Sequence, residues 1–247
     1  MEEKIAKLSQ YMEFVESLPP SFSLSRGQSK DYPLLPSALR REDGRRKYTK
    51  RAINSFLTNF KINSYQYMSN PWDVKNDIEW MLYAQHYGVP TKLMDFTTSH
   101  VTSLLFAVEK AFSSSDDSDA VVYFLNPNEL NNKNKQQSKI ITIDDSPFFN
   151  NEDHEGPFVI QARKINPRVN AQKGLFVLFQ DDDEPLEGTV DETILKKVVI
   201  DASEKREILS SLYSMGINFT HIYPELSSIA KDIVTQQDIL DYQREER

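Results

Sequence analysis

Residues 84–100, AQHYGVPTKLMDFTTSH, bring together side chains that could bind a ligand or transfer protons. The segment contains two histidines, an aspartate and a run of hydroxyl residues. Histidine and aspartate can act as general acids or bases, and hydroxyl groups can bind phosphate or sugar oxygens. We therefore expect this segment to form one wall of a ligand-binding cleft.

Asp95 lies near the end of this segment, where the sequence predicts a short buried strand over residues 91–96. Gly88 is a typical helix end, and Pro90 favours an extended backbone before it. A carboxylate among apolar neighbours needs hydrogen bonds or a cation. The candidates are the amide groups of the next helix, nearby threonine hydroxyls and Arg26. Equally, Asp95 or Ser99 could simply cap that helix, which would stabilise it by about 1 kcal/mol.

Arg26 is predicted to stand at the end of an early strand, and Gly27 follows it. Glycine lets the backbone turn sharply or approach a ligand closely. The planar guanidinium of arginine suits phosphate or carboxylate groups. Either ligand recognition or a structural ion pair with an acid would explain an arginine at position 26.

Gln172 precedes Gly174 at the start of the predicted strand LFVLFQ. A polar side chain that leads a strand often lies at the mouth of a cleft, but a hairpin turn explains the same residues. The spacing alone favours neither interpretation.

Metal binding and several common enzyme classes find little support in the sequence. His86, Asp95 and His100 could together hold a divalent cation, but their spacing matches no pattern such as HExxH, so we expect no metal. A histidine near a helix end, such as His86, more often caps or packs than catalyses. The GxSxG, GxxxxGK[ST] and GxGxxG signatures are absent from the sequence.

The composition is that of a globular protein, with 39% hydrophobic residues and no cysteine among 247 residues. The sequence has no apolar run long enough to cross a membrane, and its acidic, amphipathic first residues do not resemble a signal peptide. We expect a cytoplasmic protein without contact to a membrane.

A basic segment stands out against the net charge of −8. Its cations are Arg40, Arg41, Arg45, Arg46, Lys47, Lys50 and Arg51. Such a segment could bind nucleic acid, although a solvated helix face is the more common explanation.

The pattern of apolar residues predicts an α+β fold, with one compact domain over residues 1–247 and a central mixed or antiparallel sheet flanked by helices. We expect an N-terminal helix at residues 2–18 and C-terminal helices at residues 203–247. The polar residues 126–139, NPNELNNKNKQQSK, are predicted to form an exposed loop. The expected later strands are AVVYFL, FVIQAR, LFVLFQ and KKVVID.

Six blocks of the sequence resemble the FRG-domain family and stand in the family's order over nearly the whole chain. They are SRGQ, YPLLPSALRRE, AQHYGVPTKLMDFTTS, LLFAVEKA, AQKGLF and MGINFTHIYPELSSIAKDI. The pattern HxGxPT[RK]LxD[WF]T is the most specific. Ser25 stands where the family usually has an aromatic residue, and Lys92 where it usually has arginine. Lysine lacks the two-pronged contact that arginine makes with an anion.

The order of these parts is also similar to ADP-ribosyltransferase folds, and this similarity implies roles for individual residues. Arg26 would hold the pyrophosphate of NAD, and Tyr87 or Phe96 would stack on the nicotinamide. Gln172 would take the place of the catalytic glutamate, where it supplies a dipole instead of the charge that stabilises a ribosyl cation. Asp95 is the best substitute. The other ligand-binding candidates are Gln28, His86, Thr91, Lys92, Thr97, Thr98 and Ser99.

Because FRG domains are common in bacterial and phage genomes, the resemblance implies a bacterial or phage effector, for example in phage defence. The first hypothesis is a nucleotide-processing, NAD-dependent ADP-ribosyltransferase-like enzyme. The second is a module that binds a nucleotide or a nucleic-acid end without chemistry. The third is that Arg26, Asp95 and Gln172 form an internal network that holds the sheet together.

Overall fold

A mixed eight-stranded sheet forms the centre of the computed structural model, which describes residues 3–113, 117–143, 155–163 and 174–245. Its strands are β1 (Glu3–Ile5), β2 (Leu24–Gln28), β5 (Leu93–Thr97), β6 (Ala120–Leu125), β7 (Ile141–Thr142), β8 (Phe158–Gln161), β9 (Gly174–Leu178) and β10 (Leu195–Ile200). They lie in the order β1-β10-β6-β2-β5-β9-β8-β7. The β1–β10 and β7–β8 pairs are parallel, and the other pairs are antiparallel.

Helices flank this sheet and confirm the predicted α+β fold of a single compact domain. They are α1 (Leu8–Ser17), α2 (Lys50–Ser64), α3 (Asp77–His86), α4 (His100–Val108), α5 (Pro127–Lys135), α6 (Lys205–Ser214), α7 (Phe219–Ile222) and α8 (Leu226–Glu245). Short 3-10 helices lie at Ser37–Leu39, Tyr65–Tyr67, Pro71–Asp73, Leu186–Gly188 and Ala202–Glu204. None of the helices in the described ranges combines the length and apolar character that a membrane span requires.

The two faces of the sheet are covered by different elements because strand side chains alternate between the faces. On one face, Leu24, Phe96 and Tyr123 pack with Leu34, Leu39 and Ile53 from the segments that follow β2. On the other face, Val122 and Phe124 of β6 pack with side chains of α1, α4, α6 and α7. Farther along this second face, α3 packs on β8 and β9. The central strands β2 and β6 are therefore enclosed between two apolar layers.

The N-terminal helix is shorter than predicted. It begins at Leu8 instead of residue 2, because Glu3–Ile5 pair in parallel with β10 and form β1. At the other end of the chain, α6, α7 and α8 account for the helices predicted over residues 203–247.

The prediction of an exposed loop over residues 126–139 is wrong, since most of this segment forms helix α5. The Asn126 side chain accepts a hydrogen bond from the amide of Glu129, and Pro127 occupies the first turn, which are both typical of a helix start. Asn131 is fully buried and bonds both main-chain groups of Val159 in β8. Buried amide side chains thus accompany Leu130, which packs in the core, on the inner side of this helix.

The basic segment of residues 40–51 forms a small hairpin and the start of α2. Its strands are β3 (Arg41–Glu42) and β4 (Arg45–Arg46), and Asp43 and Gly44 turn between them with positive φ. Several of its cations face acids: Arg41 binds Glu184, Lys47 binds Glu42, and Lys50 binds Asp182. Nucleic-acid binding by this segment stays a prediction.

Candidate functional site

A gap opens in the sheet between β2 and β5. These two strands, both fully described, pair at Ser25 and Thr97. In contrast, β2 pairs with β6 along all five of its residues, and β5 pairs with β9 along all five. Beyond the Ser25–Thr97 pair β2 and β5 separate, and a cavity of about 260 Å³ lies where they do so.

Arg26 lines this cavity and crosses the gap. Its Nη1 atom donates to the main-chain oxygen of Asp95 at 2.7 Å, and its Nε atom donates to Oε1 of Gln28 at 3.3 Å. Gln28 is itself fixed, because its Nε2 atom donates to the carbonyl oxygen of Tyr32 at 2.7 Å. The guanidinium is therefore held in one orientation by two strands.

The cavity has positive charge on its wall. Burial lowers the pKa of Arg26 below its ordinary value, the nearby charge of Asp95 raises it, and the like charge of Arg40 lowers it again. Arg40 lines the same cavity. Since arginine stays protonated in proteins, the two guanidinium groups offer donors to an anion, beside the carboxylates of Asp95 and Glu109, which line the same cavity.

Asp95 also lines the cavity, but its side chain is exposed instead of buried as expected. Nε2 of Gln85, from the last turn of α3, donates to Oδ2 of Asp95 at 2.7 Å. Oε1 of Gln85 accepts in turn from the hydroxyl of Thr91. Gln85 was not among the expected partners of Asp95, and it orients the carboxylate.

The cap of α4 is Ser99, whose side chain accepts a hydrogen bond from the amide of Thr102. Of the two residues proposed as caps, Ser99 therefore fills that role. Asp95 lies in β5 and faces the cavity.

The back of β2 packs directly on α4. A Cβ atom at Gly27 would lie 1.7 Å from the main-chain oxygen of Ser103, so glycine is required there for space. Ser25 Oγ lies 2.7 Å from Ser103 Oγ and 2.7 Å from Nδ1 of His100. Ser25, which stands where the FRG-domain family usually has an aromatic residue, thus joins the strand to the helix.

His100 belongs to this packing and not to the cavity lining. Tyr11 donates to its main-chain oxygen at 2.7 Å, and its ring lies edge-on to Phe124. Burial lowers the pKa of His100, opposed by a hydrogen bond with the main chain of Phe22. The imidazole is therefore neutral at neutral pH.

Several predicted ligand-binding residues lie away from the cavity. Tyr87 is 68% exposed and stacks on Phe60. Lys92 lies 3.3 Å from the carboxylate of Asp181. Neither they nor His86, Thr91, Thr98 or Ser99 are among the described residues that line it, whereas Gln28, Phe96 and Thr97 are. Gln172 lies outside the described residues.

The cavity is completed by residues that were not among the predicted site residues. Tyr32 and Arg40 come from the segment after β2, and Phe106 and Glu109 from α4 and its end. Tyr223 follows α7, more than 100 residues later, and its ring packs edge-on against Phe106. These residues stand in sequence blocks that resemble the FRG-domain family, but the blocks are far apart along the chain and meet only in the folded protein.

Glu109 is a second carboxylate on the cavity wall. It lies 3.5 Å from the ammonium of Lys231 in α8. Within the described ranges, no group of three or more histidine, aspartate or glutamate side chains could hold a metal ion. His86, Asp95 and His100 are therefore not brought together in one such group.

Residues 23–116 match the family model of the FRG domain. The match contains Arg26, Gly27 and Asp95, and it confirms the resemblance for this part of the chain. The AQKGLF and MGINFTHIYPELSSIAKDI blocks, and with them Tyr223, lie outside the matched residues. Comparisons with curated proteins and with solved structures found no match.

Proposed function

We propose that this protein, whose residues 23–116 are an FRG domain, binds a nucleotide in the cavity between β2 and β5 and processes it, with NAD as the substrate. The observation that carries the proposal is the fixed guanidinium of Arg26 beside Arg40 on the cavity wall. Arginine forks match the oxygens of phosphate groups, so a pyrophosphate is the anion that suits this pair best.

The remaining cavity wall supports a nucleotide over a simple anion. Tyr32, Phe96, Phe106 and Tyr223 contribute aromatic rings to it, and such rings can stack on a base. Its volume of about 260 Å³ lies just below the range of about 300–1,000 Å³ for ligand pockets. We infer that one half of a dinucleotide enters the cavity and that the other half lies outside it.

Asp95 supplies the carboxylate that the reaction needs. Its charge faces the cavity and is oriented by Gln85. When the bond between nicotinamide and C1′ of the ribose breaks, the electron pair leaves with nicotinamide, and negative charge stabilises the ribosyl cation. An acceptor hydroxyl or water then bonds to C1′, and its proton passes to Asp95 and on to solvent. Asp95 thereby supplies the negative charge that Gln172, as an uncharged amide, cannot supply.

A second candidate function is nucleotide binding without chemistry. Both carboxylates of the cavity already have partners, since Gln85 binds Asp95 and Lys231 lies beside Glu109. A carboxylate that is held in this way can serve to shape a binding site instead of attacking or accepting protons. In this case the cavity would sense a nucleotide through the same arginines.

Measurement of nicotinamide release from NAD, together with calorimetric NAD binding, separates these functions. The enzyme hypothesis predicts release by the wild type, and Asp95→Asn should retain binding but lose at least 100-fold in rate, about 2.7 kcal/mol of transition-state stabilisation. Asp77→Asn is the control and should keep full activity, because Asp77 is an exposed residue at the start of α3 that pairs with Lys61 of α2.

Binding of NAD without any product would favour the sensing module. Absence of NAD binding in the wild type would rule out both functions for NAD. An internal network, the third hypothesis, predicts instead that Arg26→Ala destabilises the fold by several kcal/mol, as loss of one partner of a buried ion pair does.

A further inference from the structure

A second cavity, of about 530 Å³, lies beside α3. None of the described residues that line it also lines the cavity between β2 and β5. Its volume falls within the range of about 300–1,000 Å³ that is typical of small-molecule sites. The second cavity is therefore a separate candidate for a ligand site.

Three tyrosines form the aromatic part of its wall. Tyr83 lies in the last turn of α3, and the amide of Tyr87 donates to its main-chain oxygen, so the two side chains lie one turn apart on the same side. Tyr67 ends a 3-10 helix and is 83% exposed, and Tyr87 is 68% exposed. Tyr87 is supported from behind, because its ring stacks on Phe60 of α2. Aromatic rings that stay this exposed beside a cavity are typical of a binding surface.

The charges around this cavity leave one carboxylate unbalanced. Arg163 lines the cavity, but its Nε and Nη2 atoms donate to the two carboxylate oxygens of buried Glu79 at 2.6 and 2.8 Å, so these two charges match each other. Asp73 also lines the cavity, and none of the described cations forms an ion pair with its carboxylate. The ammonium of Lys75 donates instead to the main-chain oxygen of Trp72 at 2.9 Å. The lining thus carries net negative charge.

The phenol of Tyr83 responds to the same charges. Burial raises its pKa above the ordinary value, and Tyr87, Asp73 and Glu79 raise it further. A second negative charge is therefore disfavoured at this place, and a positive charge is favoured.

Aromatic rings beside a carboxylate suit a cation that holds little water. The face of an aromatic ring is negative and attracts a cation that lies within about 6 Å of its centre. Among organic cations, quaternary ammonium groups fit such rings well, because their methyl groups pack on the rings and they have no hydrogen-bond donor that needs a partner. Phosphate-bearing ligands fit this cavity less well, since the carboxylate of Asp73 repels them.

We propose that the cavity beside α3 binds a quaternary ammonium group, with the rings of Tyr67, Tyr83 and Tyr87 around its methyl groups and the carboxylate of Asp73 facing its charge. The group belongs to a small molecule of the choline type or to a trimethylated lysine side chain of a protein, which present the same chemistry. The proposal does not depend on which ligand the cavity between β2 and β5 binds.

Calorimetric titration with choline tests the proposal. We expect the wild type to bind choline with a dissociation constant on the order of a millimolar, as is usual for so small a ligand. Dimethylbutanol, in which carbon replaces the nitrogen of choline, has the same shape without the charge. It should bind at least tenfold more weakly, which corresponds to about 1.4 kcal/mol. Failure of choline to bind well above a millimolar, or equal binding of the two compounds, would overturn the proposal.

Substitutions at Tyr67 separate attraction by the ring from hydrogen bonding by its hydroxyl. Tyr67→Phe keeps the ring and should bind choline like the wild type. Tyr67→Leu keeps an apolar side chain but loses the ring, and it should bind choline at least about threefold more weakly. Because Tyr67 is highly exposed, both variants should fold, which thermal unfolding checks. Equal affinity of the two variants would contradict binding through the ring.

Asp73→Asn tests the charge in the same titration and should weaken choline binding at least about threefold. Asp77→Asn is the matched control, because Asp77 is an exposed carboxylate four residues along the chain that pairs with Lys61 and is not among the described residues that line this cavity. Its variant should bind like the wild type. Equal losses in both variants would show a general effect of surface charge and refute the site.

Peptides with one central lysine, either trimethylated or unmodified, distinguish the two sources of the group. Tighter binding of the trimethylated peptide than of choline would assign the site to a protein side chain, and weaker binding would assign it to a small molecule. The unmodified peptide should bind more weakly than the trimethylated one in both cases. If the unmodified peptide bound as tightly, the site would not select a quaternary ammonium group, and the proposal would be wrong.

Discussion

Nη1 of Arg26 donates a 2.7 Å hydrogen bond to the main-chain oxygen of Asp95, across the gap between β2 and β5. Elsewhere along β2 and β5, main-chain pairing with β6 and β9 fixes the strands. At the gap a side chain takes over part of that task and brings positive charge to the cavity. Arg26 and Asp95, which form the hydrogen bond across the gap, thus also line the cavity.

Gly27 should tolerate no side chain. Gly27→Ala would force a Cβ atom to within 1.7 Å of the main-chain oxygen of Ser103, so β2 or α4 must move. We expect a loss of about 3 kcal/mol or more in the free energy of unfolding, measured by urea denaturation. Gly188→Ala is the control, because that position has open space and no positive φ, and it should stay within about 1 kcal/mol of the wild type. Equal stability of both variants would contradict the packing of β2 on α4.

His100 should make the protein less stable in mild acid. Burial lowers its pKa in the folded protein below the ordinary value of about 6.5. The unfolded chain therefore binds the proton more readily, and stability that is present above pH 6.5 is lost as the pH falls below it. NMR titration should give His100 a pKa under 6.5, and urea unfolding of His100→Gln should lose less stability between about pH 7.5 and 5.5 than the wild type does. A pKa of 6.5 or above would contradict this prediction.

Asp232 should contribute strongly to stability because it is 6% exposed and accepts four hydrogen bonds, from Tyr213, the amides of Phe219 and Thr220, and the Thr220 hydroxyl. Burial raises its pKa, but these hydrogen bonds outweigh burial and lower it overall. The stabilisation is present above the ordinary pKa of about 3.9 and is lost as the pH falls below it.

Asp232→Asn should therefore cost about 2–4 kcal/mol at pH 7, measured by urea denaturation, and lose less additional stability in acid than the wild type. Asp238→Asn on the same helix is the control, with an expected change of less than about 0.5 kcal/mol. If Asp238→Asn were as harmful as Asp232→Asn, the effect would belong to the helix in general and not to this carboxylate.

Local sequence patterns located part of the site. Arg26-Gly27 and Asp95 carry recognisable chemistry at the ends of predicted strands, and the structure places them on one cavity. The role of Gln85 was not predicted, because no sequence pattern distinguishes a glutamine that orients a carboxylate from any other glutamine in the last turn of a helix. Its two partners, Thr91 and Asp95, become neighbours only when β5 folds back beside α3.

Distant pairing explains the rest of what the sequence did not reveal. Glu3–Ile5 form a strand because β10, almost 200 residues later, offers its edge. Helix α5 lacks an apolar stripe, and its packing depends on the buried amides of Asn131 and Asn134, which bond the main chain around β8. Tyr223 reaches the cavity through contacts of α7 with α4 that no short window of sequence contains.

Calorimetric titration with ADP-ribose, which carries the pyrophosphate of NAD but no nicotinamide, tests most directly whether the gap between β2 and β5 is the ligand site. We predict that the wild type binds and that Arg26→Ala weakens binding at least tenfold, which corresponds to about 1.4 kcal/mol. Arg45→Ala, at an exposed arginine of the β3–β4 hairpin, is the control and should bind like the wild type. Unchanged affinity of Arg26→Ala, or equal losses in both variants, would contradict the account.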